Sequence, residues 1–175
     1  MLLALTFSLA ARAQDVLRAT LTNGLQVIIV RNTLAPVVTT MMNYKVGSDE
    51  APAGFPGTAH ATEHMMFRGS PGLSADQLAT ISAAFGGDDN ADTQQAVTQY
   101  FFTTTAENLE VALKVEATRM QDLLPDESLW TKERGAIEQE VAQDHSNPEY
   151  VFYTKLLAVM FKGSGFHIND YSPSA

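Results

Sequence analysis

The sequence predicts an α+β domain, with a mixed and mainly antiparallel sheet and helices packed on one face. Apolar residues alternate on both sides of Thr22-Asn23-Gly24, and Asn-Gly between such runs is the strongest short hairpin signal. Further along, runs rich in Val, Thr and aromatic residues take turns with stretches of helical period. With 45% hydrophobic and 18% charged residues and no repeat or low-complexity linker, the 175 residues can bury a core, so one folded unit with helices over one sheet is the economical architecture.

Val16 to Leu21 and Leu25 to Val30 form the arms of the hairpin, and Val37 to Val46 is the next strand. From Gly47 to Gly57, prolines and glycines break the sheet pattern. Thr58 is placed to cap a helix that runs free of Gly and Pro to Arg68 and stops at Gly69. Ser74-Ala75-Asp76-Gln77 is a capping box, opening a helix to about Ala84 that Gly86-Gly87 ends. Tyr100 to Thr105 reads as a strand. Glu107 to Leu123 reads as a helix, with Leu109, Leu113, Ala117 and Met120 on its apolar period and Pro125 as its stop. Helices over Glu127 to Gln143 and Glu149 to Phe161, divided by Asn147-Pro148, follow.

Met1 to Ala10 is a short apolar run followed by Ala11-Arg12-Ala13, the order of a signal-peptide core and an A-x-A cleavage site. Residues 1–13 are therefore expected to be a signal peptide, cut short at its start because the usual basic lead is missing, with export to a bacterial periplasm or beyond. The run is too short to span a bilayer, so no membrane span is expected. A net charge of −9 offers nothing to a polyphosphate backbone, which excludes nucleic acid as a partner. Without cysteine, disulfides, thiolate ligands and a cysteine nucleophile drop out together, and any metal must sit on nitrogen and oxygen.

The chemistry concentrates in His60-Ala61-Thr62-Glu63-His64. On a helix, imidazoles four residues apart share a face, and a carboxylate three residues after the first lies on that same face. Such a pair can hold one zinc at about 2.0–2.1 Å and leave a position for water, whose proton the carboxylate accepts. The bland alternative is a solvated helix carrying these residues by chance. Histidine is rare, and Met65-Met66-Phe67 would bury the helix, so the metal site is the stronger reading. A catalytic zinc takes three protein ligands. Glu133, Ile137 and Glu140 share one face of a later helix while Glu138 points off it, which leaves Glu133 and Glu140 as alternative third ligands. His145 and His167 read as solvated loop histidines, and Arg119, Lys132 and Arg134 as residues of wet helix faces.

The stretch from Gly57 to Gly69, with its inverted His-x-x-Glu-His order, resembles the pitrilysin and insulinase family of zinc peptidases, which includes the mitochondrial and bacterial processing peptidases. The resemblance implies that residues 14–175 are the N-terminal part of a zinc-binding peptidase domain, apparently truncated. It implies one zinc held by His60, His64 and Glu140, the last separated from His64 by positions 65 to 139, with Glu63 as catalytic base and Glu133 orienting an imidazole. Gly86 to Thr93 resembles the family's glycine-rich turn and edge strand, which implies a substrate-backbone role for Asn90 and Ala91. Ala96 and Asp92 depart from the residues common there. The implied function is an endopeptidase of unstructured peptides that works with a second, homologous domain or subunit. The rival readings are a non-catalytic partner or scaffold subunit, and an inactive metal-binding fragment lacking its second half.

Overall fold

The computed structural model describes residues 15–124 and 126–162. The expected leader at 1–13, the helix stop at Pro125, His167 and the final residues lie outside them. The chain divides into two compact units, up to Pro36 and from Val37 onward.

The first unit is the expected hairpin. β1 (Val16–Thr20) and β2 (Gln26–Val30) pair antiparallel, from Val16 opposite Val30 to Thr20 opposite Gln26. Asn23 Oδ1 accepts from Leu25 N at 3.1 Å, and Gly24 takes φ +89°, a left-handed conformation open to glycine at no steric cost.

The second unit is built on a three-stranded antiparallel sheet in the order β3 (Val37–Tyr44), β7 (Thr98–Thr105), β6 (Asp88–Thr93). Along β7, Thr98, Tyr100, Phe102 and Thr104 are buried while the residues between them are less so, and within this unit the described helices pack on that one face, as expected. Helices take that face. α1 (Thr58–Met66) lies against β6 and β7; α2 (Ala75–Phe85) follows the short ladder of β4 (Gly69–Ser70) and β5 (Leu73–Ser74); α3 (Leu109–Arg119) packs on β3 and β7. Leu73, Leu78, Phe85, Phe102, Ala112 and Val115 form the core between them, with Phe67 and Ile81 against it. α4 (Glu127–Ser146) crosses α1 and continues through Asn147 into α5 (Pro148–Met160).

Several expectations hold in detail. The Ser74 hydroxyl accepts from Gln77 N while Gln77 Oε1 accepts from Ser74 N at 2.8 Å, a complete capping box. Asn147 Oδ1 accepts from Glu149 N, with Pro148 in the first helical turn. Others are corrected. Thr58 does not cap α1: Gly57 stands at the cap with φ +75°, and the Thr58 hydroxyl donates back to Phe55 O at 2.6 Å. α1 closes at Met66 rather than Arg68. In α3 the helical period is right but the face is wrong: Leu109, Leu113 and Met120 are exposed, whereas Ala112, Val115, Glu116 and Arg119 are buried. Arg119, expected on a wet face, is 2% exposed. His145 lies in the last turn of α4 rather than in a loop, edge-on to the Tyr150 ring.

Two glycines fix where β6 runs. A Cβ on Gly87 would stand 1.7 Å from Thr103 O, and one on Gly47 would stand 2.2 Å from Gln94 O. Through the second approach, Ser48 N and Asp49 N donate to the carbonyls of Gln94 and Gln95, clamping the segment after β3 onto the β6–β7 turn.

Candidate metal centre

α1 presents His60, Glu63 and His64 toward α4 and β6, and each is at least partly buried. His60 Nε2 and His64 Nε2 are 3.2 Å apart. Glu140, from α4, brings Oε1 to 3.7 Å from His60 Nε2 and Oε2 to 3.4 Å from His64 Nε2. One nitrogen or oxygen from each of these three residues lies within 4.8 Å of the others.

That spacing fits zinc. Two nitrogens each about 2.0–2.1 Å from a shared tetrahedral ion lie about 3.3 Å apart, close to the separation of the two imidazoles. Neutral imidazoles and a carboxylate, without thiolate, are also the donor types that a catalytic zinc uses with three protein ligands.

Glu133, seven residues before Glu140 on the same face of α4, occupies a different place. Its Oε2 is 3.3 Å from His64 Nδ1, and its Oε1 is 2.6 Å from Arg68 Nε. A proton on Nδ1 directed at Glu133 leaves the Nε2 lone pair of His64 facing His60 and Glu140. Ile137, between the two glutamates, is fully buried, and Glu138 points away toward Arg134. Of the two glutamates on that face of α4, Glu140 approaches both Nε2 atoms and Glu133 approaches only Nδ1.

Glu63 lies outside the convergent set. The Thr93 hydroxyl donates to its Oε2. Burial pushes the Glu63 carboxyl above the usual carboxylate range, and Asp92 adds to this, while Thr93, His60 and His64 pull the other way.

Two cavities open on these groups. One of about 290 Å³ is lined by His60, Glu63, Asp92, Thr93, Glu140 and Asp144, among others. Another of about 380 Å³ is lined by Glu63, His64, Phe67, Asn90, Ala91 and Glu133, among others. Ala91 borders both, and Asn90 Oδ1 accepts from Ala91 N at 2.9 Å. An apolar cavity of about 270 Å³ among Tyr44, Val46, Ala59, Met66 and Tyr100 lies on the opposite face of α1 and has none of the donors.

The family model for insulinase (peptidase family M16) matches residues 26–172. The chain belongs to the insulinase family. This insulinase-family chain is 36% identical over 122 residues to the zinc protease PqqE of Helicobacter pylori, covering 69% of its own length and 28% of that protein. It is 33% identical over 142 residues to an uncharacterized zinc protease of Rickettsia bellii, covering 81% of itself and 34% of that protein. Among solved structures, a protease from Helicobacter pylori superposes with a TM-score of 0.83 at 29% identity, over 91% of this chain and 39% of that one. Pitrilysin shares the fold at a TM-score of 0.82, with 93% of this chain and 18% of that one covered. The chain therefore spans about a third of the length of the curated relatives it matches.

Two residues that touch the centre were given no role from sequence. Arg68 lies four residues after His64, so the same helical spacing that pairs the histidines could have found it. Thr93 carries no such signal, because nothing in Asp92-Thr93-Gln94 distinguishes it from the other threonines.

Proposed function

We propose that this chain carries the zinc-binding part of an endopeptidase that hydrolyses unstructured peptides. The observation that carries the reading is the convergence of His60, His64 and Glu140 beside a Glu63 that stays out of the convergent set. Zinc, when bound there, lowers the pKa of water to about 7 and polarises a carbonyl. Glu63 accepts the proton from that water and hands it to the leaving amine, the work of a general base held within a buried site. Glu133 keeps His64 in the tautomer that turns Nε2 inward, and Arg68 holds the second oxygen of Glu133.

The substrate class follows from β6. It is the edge of its sheet, with β7 on one side and no described strand on the other, so an extended peptide could add there through its backbone. Only a segment without structure of its own can do so. Asn90 and Ala91 border the cavities at Glu63, as Asp92 and Thr93 further along β6 also do, and the bond from Ala91 N to the Asn90 side chain must yield to an incoming strand.

Half of the Glu140 side chain is exposed, as is about a fifth of that of His64, so these described residues do not wall off water. Residues 1–175 alone are therefore expected to cleave a flexible peptide far more slowly than a longer chain or complex that closes over the site. Comparable turnover numbers would reject this. The apolar leader supports export to a periplasm as part of the same reading.

The deciding experiment is Glu63→Gln in the full-length protein. Gln keeps size and hydrogen bonding but takes no proton, so zinc should remain near stoichiometric while hydrolysis falls at least 10²-fold, the low end for loss of a general base. A zinc-loaded variant that cleaves as well as the parent would refute the base.

A further inference from the structure

Glu63 is approached from two directions. His60 and His64 flank it on α1, and Thr93 reaches it from the last position of β6. Both partners are buried, Glu63 at 9% exposure and Thr93 at 6%. Thr93 is itself held in place. It pairs with Thr98 at the start of β7, and the Thr98 hydroxyl, 3.5 Å from Thr93 Oγ1, donates to Val46 O at 2.9 Å. Directly beyond, Ser48 N and Asp49 N donate to Gln94 O and Gln95 O at 3.0 and 2.9 Å. The donor that meets Glu63 is thus fixed to the β6–β7 turn rather than to α1.

A glutamate side chain ends in a soft torsion, and its two oxygens are equivalent until something distinguishes them. His60, His64 and Glu140 already converge without Glu63, so an untethered Glu63 would be one more carboxylate free to swing into the same space. A hydroxyl donated to one oxygen removes that freedom.

We propose that Thr93 is a positioning residue for Glu63, its hydroxyl tying down Oε2 so that the carboxylate stays off the metal and Oε1 is left to take a proton from water. The same strand carries Asn90 and Ala91, so the element offered to the substrate backbone also sets the base. One rigid strand thereby fixes the distance between the bound peptide and the group that acts on it. The proposal rests on the peptidase reading of this site.

Thr93→Ser and Thr93→Ala in the full-length protein test it, because both lose the methyl group and only one keeps the hydroxyl. Thr93→Ser should stay within about threefold of the parent, while Thr93→Ala should lose about 10-fold or more in kcat with KM little changed, the effect of one hydrogen bond to a charged group. Zinc, measured by competition with a chelator, should remain stoichiometric in both. A Thr93→Ala protein with parental kcat, or a Thr93→Ser protein as slow as Thr93→Ala, overturns the proposal. Thermal unfolding of the metal-free protein supplies a second readout. Thr93→Ala should lower Tm by more in the parent than in a Glu63→Met background, which has no carboxylate to hold, and additive losses would show that the two side chains do not couple. A parent that binds no zinc and cleaves nothing overturns the peptidase reading itself, whereas an active, zinc-loaded parent indifferent to Thr93→Ala overturns only the role of Thr93.

Discussion

Charged groups are drawn inside this domain at two places that share the Phe67 end of α1 but are built differently. At the candidate metal centre, three ionisable side chains converge, with Glu133 behind His64, while the Glu140 side chain remains half exposed, so the group stays reachable from solvent. Behind it, Glu116 and Arg119 are sealed at 1% and 2% exposure and joined at 2.6 Å. Three rings surround that guanidinium, with Cζ 5.0 Å from the Tyr100 centroid, 5.2 Å from Phe102 and 5.5 Å from Phe67. The first arrangement leaves its donors facing one another and gains from a cation placed among them. The second already contains its cation. Burial raises the Glu116 carboxyl against the pull of Arg119, and pushes the nearby Tyr44 hydroxyl up to about 12. Convergence together with access, rather than burial of charge alone, separates a ligand site from a structural pair.

The comparison breaks first at the open site. His60→Ala, His64→Ala or Glu140→Gln should abolish stoichiometric zinc, measured by metal analysis after chelator challenge, and peptide hydrolysis with it. Retained zinc in Glu140→Gln with loss in Glu133→Gln would transfer the ligand role to Glu133.

At the sealed pair, Arg119→Met should destabilise the fold by about 3–5 kcal/mol in denaturant unfolding, because it strands Glu116 as an unpaired buried carboxylate. The sign with pH follows from the raised Glu116 carboxyl. That loss should shrink at acid pH, where Glu116 is protonated, and grow as pH rises through its folded-state value. Smaller again is Glu133→Gln, which keeps the shape but weakens the hold on His64 Nδ1, at a cost of about 10- to 100-fold in zinc affinity or activity. The smallest effect sharpens the contrast most. Replacing both members of the sealed pair, Glu116→Leu with Arg119→Met, should return stability to near the parent, as buried pairs often do when exchanged for packed apolar residues. No double replacement at the open site should restore zinc.

The sequence made these two places unequally visible. His60, Glu63 and His64 are legible because helix spacing alone puts them on one face, and the shared face of Glu133 and Glu140 follows from the same geometry. That rule could not choose between the glutamates, since the choice depends on which imidazole nitrogen each one meets. Arg119 was misplaced for a plain reason: arginine on a helix is usually solvated, and Leu109, Leu113 and Met120 offered a more apolar stripe than the face that is buried. β6 was visible only through family resemblance. Asp88-Asp89-Asn90-Ala91-Asp92-Thr93 has little strand propensity, and its conformation comes from pairing with β7.

The glycine approaches at Gly47 and Gly87 have a consequence for register. A strand made of Asp, Asn and Ala has no strong apolar alternation to say which residue belongs opposite which, so slippage against its neighbour costs it little in packing. A slip of one position would turn Thr93 outward and bring Asp92 under Glu63, exchanging a hydrogen-bond donor for a second negative charge. The carbonyls of Gln94 and Thr103, each closer to a glycine than any side chain would allow, act as stops at the two ends of β6. Neither glycine touches His60, His64 or Glu140, yet the alignment of Thr93 with Glu63 depends on both remaining without a side chain.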